Sequence, residues 1–331
     1  MGRSHPSMPP DARPSPDLAA AGLDGLAVVF PGQGSQVPAA GQPWVDSPAW
    51  AIVERIEEAA GRPLRPLLLD PDADLSRTED SQLAVLAASL VTWEAARPYV
   101  DHPVAFAGHS LGQITALIAA GAVSLEDGVH LARVRAEVTQ RCADEAPGGL
   151  IALLGATPEQ AAAAVAEVAD AWVANDNAPG QLVLGGTPEG LEAATVAAKA
   201  AGVRKIRALS VGGAFHTPLM APAAEALRPT VEATTFAGTT TPIVTNHDAQ
   251  PHWSRAGWTD RLTTHLIRPV RWRESVDALA DLGARRIVEL GPGTTLSALV
   301  RRCREDVQTS AAATPAEVEQ LLPDLWGARA R

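Results

Sequence analysis

The sequence predicts an α/β fold built on a parallel sheet, with a small subdomain inserted into it. Short apolar runs at 26–30 and 104–107 are separated by long helical segments, which is typical of parallel strands buried on both faces. Residues 149–211 follow a different order of strand, helix, two strands, helix and strand, which is that of a ferredoxin-like unit. We therefore expect 26–148 and 212–305 to form one large domain around a subdomain at 149–211.

Turn, capping and apolar patterns in the sequence predict the strands and helices of the large domain. The strand at 26–30 ends at Pro31-Gly32, a strong turn signal. A nearly uncharged helix at 111–120 is apolar on every side and is expected inside the core. Ser124, followed three residues later by Asp127, predicts a helix start. The remaining elements are expected as helices at 50–60, 81–96 and 124–141 and as strands at 104–107, 243–245 and 286–290.

The two Ala-rich helices of the small subdomain begin at the capping sequences Thr157-Pro-Glu-Gln160 and Thr187-Pro-Glu189. Its middle strands are expected at 172–174 and 181–184. Between them we predict a polar turn, because residues that favour turns are concentrated there: Asn175, Asp176, Asn177, Pro179 and Gly180.

Both ends of the chain lack strong patterns. Residues 1–25 hold five prolines and are expected to be a disordered lead. Residues 306–331 are expected to be a tail with one short amphipathic helix at 318–326.

Composition excludes several classes of protein. The net charge of −11 argues against non-specific nucleic-acid binding, which depends on Lys and Arg contacts to phosphates. The chain has no apolar run of the roughly 20 residues that cross a bilayer. Its first 25 residues lack the continuous apolar segment of a secretory signal, so we expect none. Its two cysteines, Cys142 and Cys303, have no metal-ligand spacing and are expected as reduced thiols. We expect a cytoplasmic protein without bound metal, membrane or nucleic acid.

The segment Gly108-His109-Ser110-Leu111-Gly112 lies between an apolar strand and an apolar helix. This is the context of the G-x-S-x-G nucleophile elbow, in which a sharp turn exposes the serine hydroxyl at a helix N-terminus. Backbone N–H groups there can stabilise an oxyanion. Ser110 is therefore the candidate nucleophile.

A serine of this kind needs a base, and His216 is the best candidate among eight histidines because its loop follows a buried strand. Gln33 lies in a Gly-rich loop, Pro31-Gly-Gln-Gly34, that ends another buried strand and can present backbone N–H groups to an anion. Arg135 shares a helix face with apolar residues and therefore needs an anionic partner. That partner is either a protein carboxylate or a substrate carboxylate held bidentately.

These motifs, in this order, resemble the malonyl-CoA:acyl-carrier-protein transacylase family, which includes the acyltransferase domains of polyketide synthases. The resemblance covers about residues 26–305. Its elements are Phe30-Pro-Gly-Gln-Gly-Ser-Gln36, Gln82 in Thr78-Glu-Asp-Ser-Gln-Leu-Ala84, Gly108–Gly112, Arg135, Asn175-Asp-Asn-Ala-Pro-Gly-Gln181, Gly213-Ala-Phe-His216, Pro269-Val-Arg-Trp272 and Glu289-Leu-Gly-Pro-Gly293.

The resemblance implies a hydrolase-like core and a serine acylated at Ser110, with His216 as base. The oxyanion N–H groups would come from Gln33 and Leu111. A main-chain carbonyl would orient the histidine, from near Arg271 or, as the alternative, Asn246. The substrate-binding residues that it implies are Arg135 for the malonyl carboxylate, Phe215 against an α-methyl group, and Gln82, Asn177 and His109.

The function that the resemblance implies is transfer of a malonyl or related carboxyacyl group from coenzyme A to the phosphopantetheine thiol of an acyl carrier protein. The thioesters are substrates, and no bound cofactor is implied. Three alternatives stay open: a serine thioesterase or acyl hydrolase on the same scaffold, a transferase that takes an unusual acyl group from a carrier protein, and a carrier-binding module without activity. Gln113 and Ile114 depart from the Glu and the aromatic residue common in the family, which leaves the acyl group open.

Carrier proteins are usually acidic, so an acidic enzyme needs a locally basic docking face. Arg301, Arg302 and Arg304 form one candidate cluster. A second cluster is formed by Arg204, Lys205 and Arg207. The alternative is that these short basic runs are solvated surface charge.

Overall fold

The computed structural model describes residues 25–325. Residues 1–24 of the predicted lead and residues 326–331 of the predicted tail therefore lie outside the described residues, and Gly25 begins the first strand. The strands are β1 Gly25–Phe30, β2 Ala105–Gly108, β3 Gly149–Leu154, β4 Ala171–Ala178, β5 Gln181–Gly186, β6 Lys205–Ala208, β7 Ile243–Val244, β8 Pro251–His252, β9 Val270–Arg271, β10 Ala284–Leu290 and β11 Gln308–Ala312.

The helices are α1 Ile52–Ala60, α2 Arg65–Leu69, α3 Thr78–Ala96, α4 Gly112–Ala119, α5 Leu125–Glu145, α6 Pro158–Val165, α7 Pro188–Ala200, α8 Ala221–Ala233, α9 Trp258–Ile267, α10 Trp272–Asp281, α11 Thr295–Cys303 and α12 Pro315–Leu325. Short 3₁₀ helices occur at Gln42–Trp44, Pro48–Ala51, Arg97–Tyr99 and Pro218–Met220. None of the helices within residues 25–325 is both long and apolar enough to span a membrane.

The main sheet has the strand order β11-β10-β1-β2-β7-β8, with parallel pairing up to β7 and an antiparallel β8. Along β1, Leu26, Val28 and Phe30 face one hydrophobic core, while Ala27 and Val29 face a second. This period of two places apolar cores on both faces of the sheet. Phe30 pairs with Gly108, so the loops that follow β1 and β2 emerge side by side at one edge.

The small sheet has the order β6-β3-β5-β4-β9. Its first four strands pair antiparallel throughout, which is the arrangement of a ferredoxin-like unit, and α6 and α7 contribute to a separate core. Strand β9 comes from outside the insert and pairs parallel with β4, which ties the small sheet to the large domain. The predicted α/β fold with a parallel sheet and an inserted small subdomain is confirmed.

The polar turn predicted between β4 and β5 is wrong. Strand β4 continues to Ala178, so Asn175, Asp176 and Asn177 lie in the strand and only Pro179-Gly180 forms the turn. The register shifts twice along this polar stretch, which indicates bulges. Pairing with β5 on one side and β9 on the other outweighs the low strand propensity of Asn and Asp.

The predicted tail also differs from the structure. Strand β11 pairs with β10 at the edge of the main sheet, and α12 buries Val318, Leu321 and Leu325. The indole N–H of Trp44 donates to the carbonyl of Ala313 at 2.8 Å, and this bond fixes the short connection between β11 and α12. The sequence of β11, Gln-Thr-Ser-Ala-Ala, has no apolar alternation, so only its backbone pairing reveals it as a strand.

Candidate active site

Ser110 lies at the sharp turn between β2 and α4, with a φ of +53°. The flanking glycines are required by close backbone contacts. A Cβ on Gly108 would lie 2.0 Å from the carbonyl of Gly112, and a Cβ on Gly112 would lie 2.1 Å from the carbonyl oxygen of Phe30. The turn therefore has the geometry of the nucleophile elbow that the sequence predicted.

The Oγ atom of Ser110 lies 2.8 Å from Nε2 of His216. The other ring nitrogen of His216, Nδ1, lies 2.9 Å from the carbonyl oxygen of His265. Because a carbonyl can only accept, Nδ1 carries the proton and Nε2 is left to accept from the serine hydroxyl. Burial, together with the nearby charge of Arg135, lowers the pKa of His216 to about 3, so the ring is neutral at pH 7.

The carbonyl that orients His216 was expected near Arg271 or Asn246, and this expectation is wrong. The carbonyl of Asn246 instead accepts from the N–H of Arg271 at 2.9 Å. His265 lies in the last turn of α9, and the residue four positions later is Pro269, which has no N–H to donate. The His265 carbonyl therefore has no helical N–H to accept from and can accept the Nδ1–H of His216. In the sequence, the proline four residues after His265 indicates this free carbonyl.

Arg135 projects from α5 and is 6% exposed. One guanidinium nitrogen donates to Ser110 Oγ at 3.0 Å, and another donates to Oε1 of Gln82. The amide nitrogen of Gln82 in turn donates to Oγ1 of Thr139 at 3.2 Å. Within residues 25–325, no Asp or Glu lies within ion-pair distance of Arg135. Burial lowers the pKa of Arg135 to about 10, which leaves it charged at pH 7.

These groups open into one cleft of about 540 Å³, including the part open to solvent. Its polar side holds Gln33, Gln82, His109, Ser110, Arg135, Thr139, Asn175 and His216. Its apolar side is formed by Leu150, Val211, Phe215, Met220 and Leu266. Sequence reasoning identified Phe215 but missed the other four, because an apolar residue beside a site has the same sequence pattern as one in the core.

The backbone N–H groups of Gln33 and Leu111 have no hydrogen-bond acceptor within the described chain. The two loops that carry them are in close contact, since a Cβ on Gly32 would lie 2.3 Å from the carbonyl oxygen of His109. The side-chain amide of Gln33 donates to Oγ1 of Thr78 at 3.2 Å, which holds the loop against α3. The arrangement leaves two backbone donors available beside Ser110.

His109 and Asn177 are brought together, with 2.9 Å between His109 Nε2 and Asn177 Oδ1. The His109 ring also packs edge-on against Trp272, at 5.5 Å between ring centroids. Burial lowers the pKa of His109, so this ring is also neutral. The neighbouring Asn175, which lies in β4 rather than in a turn, lines the cleft directly.

The three arginines predicted to dock a carrier protein lie at the C-terminal end of α11 and do not line the cleft. Arg302 donates to the turn between β4 and β5. Arg304 lies 3.5 Å from Asp277 and 2.9 Å from Asp306, so its charge is already balanced. Among residues 25–325, the Arg301 guanidinium has one hydrogen-bond acceptor, the hydroxyl of Thr309.

In the part of the chain that the structure describes, no three His, Cys, Asp or Glu side chains are grouped so that they could hold a metal ion. The polar groups of the cleft are instead two hydroxyls, imidazoles, amides and one guanidinium. This set can perform nucleophilic acyl chemistry with a neutral base and can hold an anion.

Comparison with known proteins gives consistent relatives. Over 307 residues the chain is 33% identical to the malonyl CoA-acyl carrier protein transacylase of Bacillus subtilis, covering 91% of this chain and 97% of that protein. The crystal structure of the malonyl-CoA:acyl carrier protein transacylase from Xanthomonas oryzae is 37% identical, with a TM-score of 0.84 over 92% of this chain and 99% of that one.

A third similar structure is a type II PKS acyl-carrier protein in complex with its malonyl-transacylase, 31% identical with a TM-score of 0.86, covering 91% of this chain and 99% of that one. The family model for the acyl transferase domain matches residues 27–326, which include every residue of the cleft. The chain therefore belongs to the acyl transferase domain family.

Proposed function

We propose that the protein transfers a malonyl group from coenzyme A to the phosphopantetheine thiol of an acyl carrier protein, through an ester on Ser110. The observation that carries this proposal is a charged, buried guanidinium without a carboxylate partner in residues 25–325, located in the same cleft as a hydrogen-bonded serine–histidine pair. The relatives named as malonyl-CoA transacylases support the same substrate.

In the first half-reaction, Nε2 of His216 takes the proton of Ser110 as Oγ attacks the thioester carbonyl carbon. The N–H groups of Gln33 and Leu111 stabilise the oxyanion that forms. Collapse of this intermediate breaks the carbon–sulfur bond, and the protonated His216 returns its proton to the departing thiol of coenzyme A. The products are free coenzyme A and malonyl-Ser110.

In the second half-reaction, the phosphopantetheine thiol enters and His216 takes its proton. The sulfur attacks the ester carbonyl, and Ser110 leaves with the proton that His216 supplies. Water would give free malonate by the same route, so a transferase must disfavour it in the acylated site. The apolar side of the cleft supports this, because Leu150, Val211, Phe215, Met220 and Leu266 offer water no hydrogen-bond partner from their side chains.

We assign the malonyl carboxylate to Arg135, whose planar guanidinium can bind it bidentately. Gln82 supports this role because a neutral amide positions the guanidinium without neutralising it. Phe215 borders the same cleft, where its ring would occupy the space of an α-methyl group. His109 and Asn177 would border the pantetheine arm.

We place the docking face for the carrier protein at Arg301 and Arg302, since neither pairs with a carboxylate in residues 25–325. Arg304 contributes less because two aspartates already balance its charge. The solved complex of a relative with its acyl-carrier protein supports a carrier partner of this kind. We place the reaction in the cytoplasm, without a bound cofactor.

The test is to incubate the protein with malonyl-CoA, with and without holo-acyl carrier protein, and to measure malonyl-carrier and free malonate. A transferase loads the carrier much faster than it releases malonate. Faster malonate release would instead identify a thioesterase. A panel of acyl-CoAs and acyl-carrier donors tests whether another acyl group is preferred, which Gln113 and Ile114 leave open.

A further inference from the structure

We propose that Asn246 is a positioning residue that holds the backbone of Ser110 in the conformation needed for acylation. This inference rests on the proposed function, since it concerns the same serine. Asn246 follows β7, the strand beside β2, and its side chain is 0% exposed. Nothing in the sequence patterns marked it for this role.

Every polar group of Asn246 has a partner. Its Oδ1 accepts from the N–H of Ser110 at 2.7 Å, and its Nδ2 donates to the carbonyl of Gly108 at 2.8 Å. Its own N–H donates to Oε1 of Gln113 at 2.8 Å, and its carbonyl accepts from the N–H of Arg271 at 2.9 Å. A buried amide is costly without partners, so this full set fixes the orientation of the side chain.

The two side-chain bonds of Asn246 flank His109 and so hold the backbone that leads into the strained Ser110. Ser110 has a φ of +53°, a left-handed conformation that is strained for a residue other than glycine and persists only when its surroundings enforce it. By holding the Gly108 carbonyl and the Ser110 N–H together, one side chain fixes the backbone through His109. The direction of Oγ toward His216 Nε2, at 2.8 Å, depends on that backbone.

The same contact limits which groups can form the oxyanion hole. The Ser110 N–H is occupied by Asn246 Oδ1, whereas the N–H groups of Gln33 and Leu111 have no acceptor within the described residues. Asn246 therefore uses the Ser110 N–H to hold the turn, and the N–H groups of Gln33 and Leu111 are left to bind the oxyanion.

The first test compares Asn246→Ala with the wild-type protein in rapid-quench acylation by malonyl-CoA. Misplacing a reacting group by about 1 Å can slow a reaction roughly 10²-fold, and we expect a loss of this order in the acylation rate constant. The Kd for malonyl-CoA should change little, because Asn246 does not line the cleft. Thr92→Val is the control, since it removes a buried side-chain hydrogen bond, to the carbonyl of Ala88 within α3, that does not involve the elbow.

A second variant, Asn246→Asp, tests the hydrogen bond to the Gly108 carbonyl by a change of pH within a single protein. In Asn246→Asp the ionised carboxylate still accepts from Ser110 but repels the Gly108 carbonyl, whereas the protonated acid can donate to that carbonyl. The acylation rate of the variant relative to wild type should therefore rise as the pH is lowered from 8 to 5. In the wild-type protein, which is the reference for this ratio, His216 remains neutral over the same range because burial and the Arg135 charge hold its pKa at about 3.

Two results would overturn the inference: Asn246→Ala acylated at the rate of the Thr92→Val control, or a rate ratio for Asn246→Asp that is independent of pH. Failure of the proposed function looks different, because the wild-type protein itself would then not be acylated by malonyl-CoA. Thermal denaturation of each variant reports folding separately from the acylation rate.

Discussion

A guanidinium nitrogen of Arg135 donates a hydrogen bond of 3.0 Å to Oγ of Ser110, the atom that also lies 2.8 Å from Nε2 of His216. A buried arginine is normally found with a carboxylate, because an unpaired guanidinium is costly to bury. Among residues 25–325 this one has only an amide and a hydroxyl as side-chain partners. The carboxylate that completes the site is therefore expected on the substrate.

Arg135→Gln should lower kcat/KM for malonyl-CoA roughly 10²-fold, because it removes a buried charge partner of the substrate. This factor corresponds to a loss of about 3 kcal/mol of transition-state stabilisation. Transfer of an acetyl group, which has no carboxylate, should be much less affected. The matched control is Arg133→Gln on the same helix, which breaks an ion pair with Glu137 and a contact with His130 at the surface. Equal losses for malonyl and acetyl transfer would remove Arg135 from the carboxylate role.

The pH profile should reflect the low pKa of His216, which burial and the Arg135 charge set at about 3. An ordinary histidine becomes protonated as the pH falls through about 6.5. The wild-type acylation rate should instead stay flat from pH 8 to 5 and fall only at lower pH, as measured by single-turnover kinetics. A fall centred near pH 6.5 would show that the base has an ordinary pKa.

The same shift predicts how stability depends on pH. Below pH 6.5 the unfolded chain binds a proton at His216 that the folded protein does not bind, so the free energy of unfolding should decrease as the pH falls from 6.5 toward 3. His216→Gln removes this contribution and should lose less stability over that range. Denaturant unfolding of both proteins at pH 7 and pH 4.5 measures the difference, and equal losses would contradict the burial of a neutral His216.

His265→Leu should leave kcat within about twofold of wild type, because the hydrogen bond to His216 comes from the main-chain carbonyl of residue 265 and an apolar side chain can still pack where the His265 ring lies, 5.0 Å from the His216 ring. The buried Nε2 of His265 has no hydrogen-bond partner in the described chain, so its loss should not lower the thermal denaturation temperature. Steady-state kinetics check the expectation. A loss of catalysis with the fold intact would instead assign a role to the ring.

Phe215→Ser should raise the methylmalonyl-to-malonyl ratio of kcat/KM by roughly tenfold, because steric exclusion of one methyl group is worth about 1–3 kcal/mol. Competition between the two coenzyme A thioesters measures this ratio directly. Met220→Ala, which shortens another apolar residue of the cleft, is the control for a general loosening of the site. An unchanged ratio in Phe215→Ser would refute the steric argument.

The double variant Arg301→Glu/Arg302→Glu should raise the KM for carrier protein and leave self-acylation from malonyl-CoA unchanged. The control is Lys205→Glu/Arg207→Glu on β6, at the exposed edge of the small sheet. If only the control variant raises the KM, the docking face lies at β6 rather than at α11.

The elbow around Ser110 could be predicted from the sequence, because its two glycines, the preceding strand and the following helix are all contiguous in the chain. Contacts between distant segments were harder to predict. The roles of His265 and Asn246 arise where a helix end and a strand end meet the elbow from other parts of the chain. Strand β11 escaped prediction for a related reason, since its pairing uses backbone groups that every residue has.

Intact-protein mass spectrometry after brief exposure to malonyl-CoA shows whether Ser110 carries the acyl group. Wild-type protein should gain the mass of one malonyl group, carried on the peptide that contains Ser110, and holo-acyl carrier protein should then remove it. Ser110→Ala should gain nothing. A malonyl adduct of equal yield on Ser110→Ala, or no adduct on folded wild-type protein, would contradict the acylation of Ser110.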